Sequence, residues 1–201
     1  IADESSVELF DAMDVQPDSD RRAAIDTWIT ALKDEDIWDD LEILYVLAAH
    51  DAQAARLNWK SPGTFTCTAT NAPTFTTDRG YTGNGTSSRL ETGYTPSVNG
   101  INYTIDNASA WLWSLTEQAE STTSLGSVVS PRTFVTPQSS TNMIVGCNDS
   151  TASTVANTGT IGFFGVSRPE SAVKQAWKDG VQVGTDFAVA STALTNQEQW
   201  I

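Results

Sequence analysis

The chain has 201 residues, with 25 Asp and Glu against 11 Lys and Arg, a formal charge of -14 at pH 7. That balance argues against a nucleic-acid binder, because displacing the counterions of phosphates needs a basic surface. No run approaches the ~18 consecutive apolar residues of a membrane helix, so no membrane insertion is expected. The length suits one domain, or one domain with an appendage.

The acidity is unevenly placed. Residues 1–60 hold 15 acidic and 5 basic side chains, a net of -10, whereas residues 61–201 hold 10 and 6, a net of -4. An acidic segment therefore precedes a nearly neutral one rich in Ser, Thr, Asn and Gly. Ile1 is not a start methionine, so the N-terminus is expected to be processed or internal to the encoded protein. Residues 1–20 lack the basic-then-apolar order of a signal peptide.

Residues 1–57 read as helical throughout. Val7, Leu9, Phe10 and Met13 suggest a short first helix. Pro17, followed by Asp18, Asp20 and Arg21, reads as a helix start, with Pro in the first turn and acids at the positive end of the dipole. Ile25, Trp28, Ile29 and Leu32 then form one apolar stripe. Lys33 to Asp36 breaks it. Ile37, Trp38, Leu41, Leu44, Tyr45 and Ala48 predict a further helix that ends near His50. His50 is the only histidine and lies beside Asp51. As neighbours on a helix end the two would not face each other, so hydrogen bonding at a helix terminus is expected in place of a catalytic pair. Helices this short bury little apolar surface alone. Residues 1–57 are therefore expected to act as a docking and assembly segment, packing on the rest of the chain, on each other or on a partner chain in a homo-oligomer.

From Trp59 onward the apolar period changes from 3.6 to 2. Thr64 to Thr70 alternates Thr with Phe65, Cys67 and Ala69. Ala110 to Leu115 puts Trp111, Trp113 and Leu115 on one face. Thr133–Val135, Met143–Cys147 and Ile161–Val166 are further strands. Ser61-Pro62-Gly63, Asn84-Gly85, Asn99-Gly100 and Asn157-Thr158-Gly159 punctuate them, the pattern of a sandwich or barrel. Asp179-Gly180, between Ala176-Trp177-Lys178 and Val181-Gln182-Val183, predicts a two-residue hairpin turn, which requires positive φ at both central positions. Residues 58–201 are thus expected to form an antiparallel β-sandwich.

Little in the chain points to catalysis or metal binding. Cys67 and Cys147 either form a disulfide or stay buried and reduced, and the reduced form is favoured. They are too few for a zinc site. No nucleophile elbow, phosphate loop or dinucleotide fingerprint occurs. Asp106-Asn107 and Asn148-Asp149-Ser150 are oxygen-rich loops, but calcium takes six to eight oxygens, and such loops are ordinary turn chemistry. No cofactor or catalytic residue is therefore expected, and calcium at these loops is the one metal left open. For a glycan, whose rings stack on flat apolar surfaces, Trp113 and Trp177 are the candidates, although strand aromatics of a sandwich mostly face its core.

Four stretches carry a resemblance: Ala48-Ala49-His50-Asp51 through Leu57-Asn58-Trp59, Asn71-Ala72-Pro73-Thr74-Phe75, Asp78-Arg79-Gly80-Tyr81, and Leu90-Glu91-Thr92-Gly93-Tyr94. Together they resemble a module of bacteriophage and prophage structural proteins, in which a short helical segment leads into a concanavalin A-like (laminin-G-like) sandwich. The likeness spans roughly residues 9 to 194. It implies a mainly β fold, a concanavalin A-like antiparallel jelly-roll β-sandwich preceded by a small α-helical segment. It also implies a non-enzymatic virion protein of a tailed phage, a fibre, spike or decoration, assembled in the bacterial cytoplasm. Such a protein would contact other virion proteins through residues 1–57 and hold host-surface polysaccharide. The first alternatives are a purely structural protein that meets neighbouring subunits without glycan, and a glycan-cleaving hydrolase. Hydrolases on this fold carry Glu-x-Asp-x-Glu on one strand; here Glu91 lacks a partner at i+2 or i+4, and Glu117 and Glu120 are three apart. A secreted adhesin is a further alternative. Sandwiches of this type close with further strands after a segment like Ala193 to Asn196, so a continuation of the chain, or another chain, is expected to complete the sheet.

Overall fold

The computed structural model describes residues 2–117 and 123–201. It is mainly β, and every strand pairing among the described residues is antiparallel. The chain divides into two compact units, Ile1–Gly93 and Tyr94–Ile201, so the change of apolar period near Trp59 falls inside the first.

The first unit begins with helices α1 (Glu4–Asp11) and α2 (Ser19–Asp34). Each has an aspartate cap: the side chain of Asp3 accepts from the Ser5 N–H, and that of Asp18 from the Arg21 N–H, which satisfies donors that a helix start leaves unpaired. Lys33, in the last turn of α2, reaches back to Asp3 at 2.6 Å; this hydrogen bond is the main reason the Asp3 carboxyl lies below its ordinary pKa. Leu9, Phe10, Met13, Ile25 and Ile29 share one core with Trp38, Leu57 and Trp59.

The expectation of helix throughout residues 1–57 fails after α2. Trp38–Asp40 forms a single 3-10 turn, Ala54–Arg56 another, and residues 41–50 have no regular helix. The backbone there bonds across to another segment. The Leu44 N–H donates to Asn58 Oδ1 at 3.0 Å, the Trp59 N–H donates to the Leu44 carbonyl at 2.8 Å, and the Tyr45 hydroxyl donates to the Phe65 carbonyl at 2.5 Å. Ile43, Tyr45 and Val46 suit an extended chain, and these tertiary bonds override the helical spacing. His50 consequently sits at a bend. Contrary to expectation its Nε2 does meet Asp51 Oδ2, at 3.0 Å, and it also meets the Val15 carbonyl at 2.7 Å. Two short antiparallel pairings complete the unit, β1 (Thr68–Thr70) with β4 (Arg89–Glu91), and between them in sequence the hairpin of β2 (Thr74–Thr76) with β3 (Gly80–Thr82).

The second unit is a β-sandwich. One sheet runs β12 (Val181–Gln182), β11 (Val173–Lys178), β10 (Gly162–Glu170), β5 (Ala108–Ser114), with β13 (Phe187–Ala188) also paired to β11. The other runs β6 (Leu125–Gly126), β7 (Arg132–Ser139), β8 (Asn142–Asp149), β9 (Ser153–Ala156). A core of Val135, Met143, Val145, Cys147, Phe164, Val166 and Ala176 lies between them. The only helix of the unit among its described residues is one turn, α3 (Pro96–Asn99). Asp179 and Gly180 have φ of 51° and 79°, and Lys178 pairs with Val181 across them, the primed hairpin that this dipeptide favours. Trp200 bridges antiparallel to Gly126. Both cysteines are buried free thiols.

Candidate functional site

Alternation along β5 decides which side chains leave the sandwich. Ala108, Ala110 and Leu112 pack on the core, so Ser109, Trp111 and Trp113 point the other way. The register carries that outer face across the sheet. Trp113 lies opposite Phe163 and Trp111 opposite Gly165; Gly165 in turn lies opposite Trp177, and Trp177 opposite Gln182. Four aromatic rings from three strands thus meet. Trp111 stacks on Phe163 at 5.2 Å between centroids and 15° between planes. Trp113 lies 5.9 Å from Phe163, and Trp177 lies 6.2 Å from Trp111. Trp113 remains 67% exposed and Trp111 36%.

The expectation that strand aromatics face the core is therefore overturned for β5, whose inward positions are filled by Ala108, Ala110 and Leu112. Of the two candidates read from the sequence, Trp113 and Trp177 share one face, bridged by Trp111 and Phe163. Gly165 makes the arrangement compact: a Cβ on it would come within 2.0 Å of the Trp111 ring. An isolated glycine inside a strand is the usual sign of such an approach, and it was the available signal for this site.

One side of the aromatic face is polar. The Trp177 indole N–H donates to Ser167 Oγ at 2.8 Å, and Ser167 Oγ donates to Gln175 Oε1 at 3.3 Å. The Gln175 and Gln182 amides each donate to Asp186 Oδ1 at 2.9 Å. These two hydrogen bonds, Gln175 first, lower the Asp186 pKa, so the rim is anionic. At the other side Asp179 Oδ1 accepts from the Phe163 N–H at 2.8 Å. Flat apolar rings bordered by amide and carboxylate oxygens match the C–H face and hydroxyl edge of a pyranose.

Elsewhere the sandwich holds a charged cluster that sequence reasoning missed. Arg168, Lys174 and Asp149 are all fully buried. Asp149 Oδ2 accepts from Arg168 Nη2 at 3.0 Å and from Lys174 Nζ at 2.8 Å. Arg168 Nε donates to the Cys147 carbonyl at 2.7 Å, and its Nη1 to the Ser171 and Val189 carbonyls at 3.0 Å each. The oxygen-rich loop at Asn148-Asp149-Ser150 therefore spends its carboxylate on two side-chain cations. Asn148 is also buried, donating to the Thr104 and Ile105 carbonyls, and Asp106 accepts from Ser191 Oγ at 2.5 Å. Among the described residues no three His, Cys, Asp or Glu side chains cluster as metal ligands.

Two of the remaining carboxylates weighed for catalysis have visible partners. Glu91 pairs with Arg89 at 2.5 Å, and Glu117 Oε1 accepts from the Thr160 N–H at 3.3 Å; Glu120 lies outside the described residues. No helix among the described residues is long and apolar enough to cross a membrane. No protein-family model, curated protein or solved structure matches the chain.

Proposed function

We propose that the chain is a non-enzymatic glycan-binding protein of a phage particle, whose sandwich holds host-surface polysaccharide on the outer face of the five-stranded sheet. The observation that carries the binding step is the row of Trp113, Phe163, Trp111 and Trp177. Large exposed aromatics with a satisfied polar rim are the usual signature of a recognition surface. On this reading the sandwich is a concanavalin A-like jelly roll. The phage setting, with assembly in the bacterial cytoplasm, rests on the resemblance of residues 48–59, 71–75, 78–81 and 90–94 to phage structural modules. Residues 1–57 would then serve attachment to other virion proteins, and several copies per particle would turn weak single sites into useful avidity.

A purely structural role is the second reading. Val98 and Ile101 are 77% and 82% exposed, positions that suit burial by a neighbouring subunit. The test incubates the intact protein with host polysaccharide and measures both retention and released reducing ends. Retention without release is expected. Release would make the protein a hydrolase, and absence of retention on any host glycan would favour the structural reading.

A further inference from the structure

The charge around the aromatic face has one sign. The cations of residues 94–201 are Arg132, Arg168, Lys174 and Lys178, and each is used away from that face. Arg168 and Lys174 are sealed in the interior on Asp149. Arg132 donates to the Ser150 carbonyl at 3.2 Å and lies over the Phe134 ring. Lys178 points inward, donating to Asn157 Oδ1 at 3.1 Å and lying 5.2 Å from the centroid of the core ring of Phe164. The groups that border the aromatics are instead Asp186, held ionised by two amides, and Asp179, bonded to the Phe163 N–H.

We infer that the ligand of this face is an electrically neutral glycan, and that polysaccharides bearing carboxylate, sulfate or phosphate are selected against. This rests on the reading of the outer face as a glycan platform. A neutral sugar offers hydroxyl donors, which the Asp186 carboxylate and the Gln175 and Gln182 amide oxygens can accept. An acidic sugar finds no guanidinium or ammonium of this unit on the platform. Charge-assisted pairing to such a group is the strong way to hold an anion, and here it is replaced by repulsion from Asp186 and Asp179. The repulsion acts between exposed charges, so it weakens as salt shortens the Debye length. Binding of the neutral ligand should scarcely depend on salt.

The test measures retention of the intact protein on a neutral glucan or chitin-type polymer and on a polyuronate and a sulfated polymer of similar length, at low and high salt. The expected result is retention on the neutral polymer, with the acidic polymers weaker by about tenfold at low salt. That gap should narrow with added salt and in Asp186→Asn. Equal or better retention on the acidic polymers would overturn the inference while leaving the platform standing. A gap unchanged in Asp186→Asn at low salt would also overturn it, because the rim charge would not be the cause. Failure of every polymer to bind, or binding unaffected by Trp111→Ala and Trp113→Ala, would remove the platform itself and the inference with it.

Discussion

Gly165 on β10 lies directly beneath the indole of Trp111 on β5, so close that a methyl group in its place would sit 2.0 Å from Trp111 Cε3. Glycine in a strand interior is ordinarily a loss of about 0.5–1 kcal/mol relative to alanine. Here the bare backbone lets a tryptophan lie flat against the sheet and meet Phe163 on one side and Trp177 on the other.

Gly165→Ala should therefore destabilise the protein, by about 1–3 kcal/mol as for other overpacked sites, and should lift Trp111 away from the sheet. Urea unfolding reads the first effect and tryptophan emission the second. A variant as stable as the parent, with unchanged emission, would show that the ring does not depend on the glycine.

Trp113→Ala separates binding from folding. The side chain is 67% exposed, so the change in stability should stay within about 0.5 kcal/mol. Affinity for a neutral glycan should fall about threefold to tenfold, as expected for one lost aromatic contact. Calorimetric titration of the intact protein measures the loss; unchanged affinity would place the ligand elsewhere.

The buried cluster makes an asymmetric pair of predictions. Arg168 and Lys174 carry two positive charges against one on Asp149. Asp149→Ala strands both cations in the interior and should cost about 3–5 kcal/mol. Lys174→Met keeps the neutral Arg168–Asp149 pair and should cost less than about 1 kcal/mol. Desolvation, the largest cause, lowers the Lys174 pKa. As pH rises from that folded value toward the ordinary lysine value, the unfolded chain holds the extra proton. Wild type should therefore gain stability relative to Lys174→Met across that window. Equal costs for the two substitutions in denaturant titrations would refute the asymmetry.

Cys147 acts in the opposite direction at alkaline pH. Burial pushes its thiol from 9.0 up to about 11. Above pH 9 the unfolded chain ionises first, so the stability due to this group is full below about pH 9 and is lost by about pH 11. The loss is on the order of 2–3 kcal/mol. Comparing wild type with Cys147→Ala across that range isolates it, and parallel pH curves would contradict it. The native thiol should also resist alkylation until the protein unfolds.

Legibility in the sequence followed the range of the interactions. The Asp179-Gly180 turn is set by two adjacent residues, and the caps at Asp3 and Asp18 act over two or three; such features can be read locally. The stretch Ile37 to Ala48 has helical spacing, yet Asn58 and Trp59, well downstream, take its backbone bonds. The burial of Arg168 and Lys174 has no local signal, because their partner, Asp149, lies on the opposing sheet. At the candidate site, the shared face of Trp111 and Trp113 was visible in the alternation, but its outward direction was not. That direction depends on Ala108 and Leu112 reaching core residues such as Val145 and Phe164, which no local pattern reveals.

The flank of β11 has a consequence for crowding. β12 and β13 cover its two ends with two residues each, and Gly184, at φ 77°, interrupts the chain between them. A strand from another molecule approaching this flank meets a ladder too short and too broken to template continued pairing, the device by which natural sheets resist edge-to-edge growth. Many molecules held side by side at high local density would find no route to fibrils along that border.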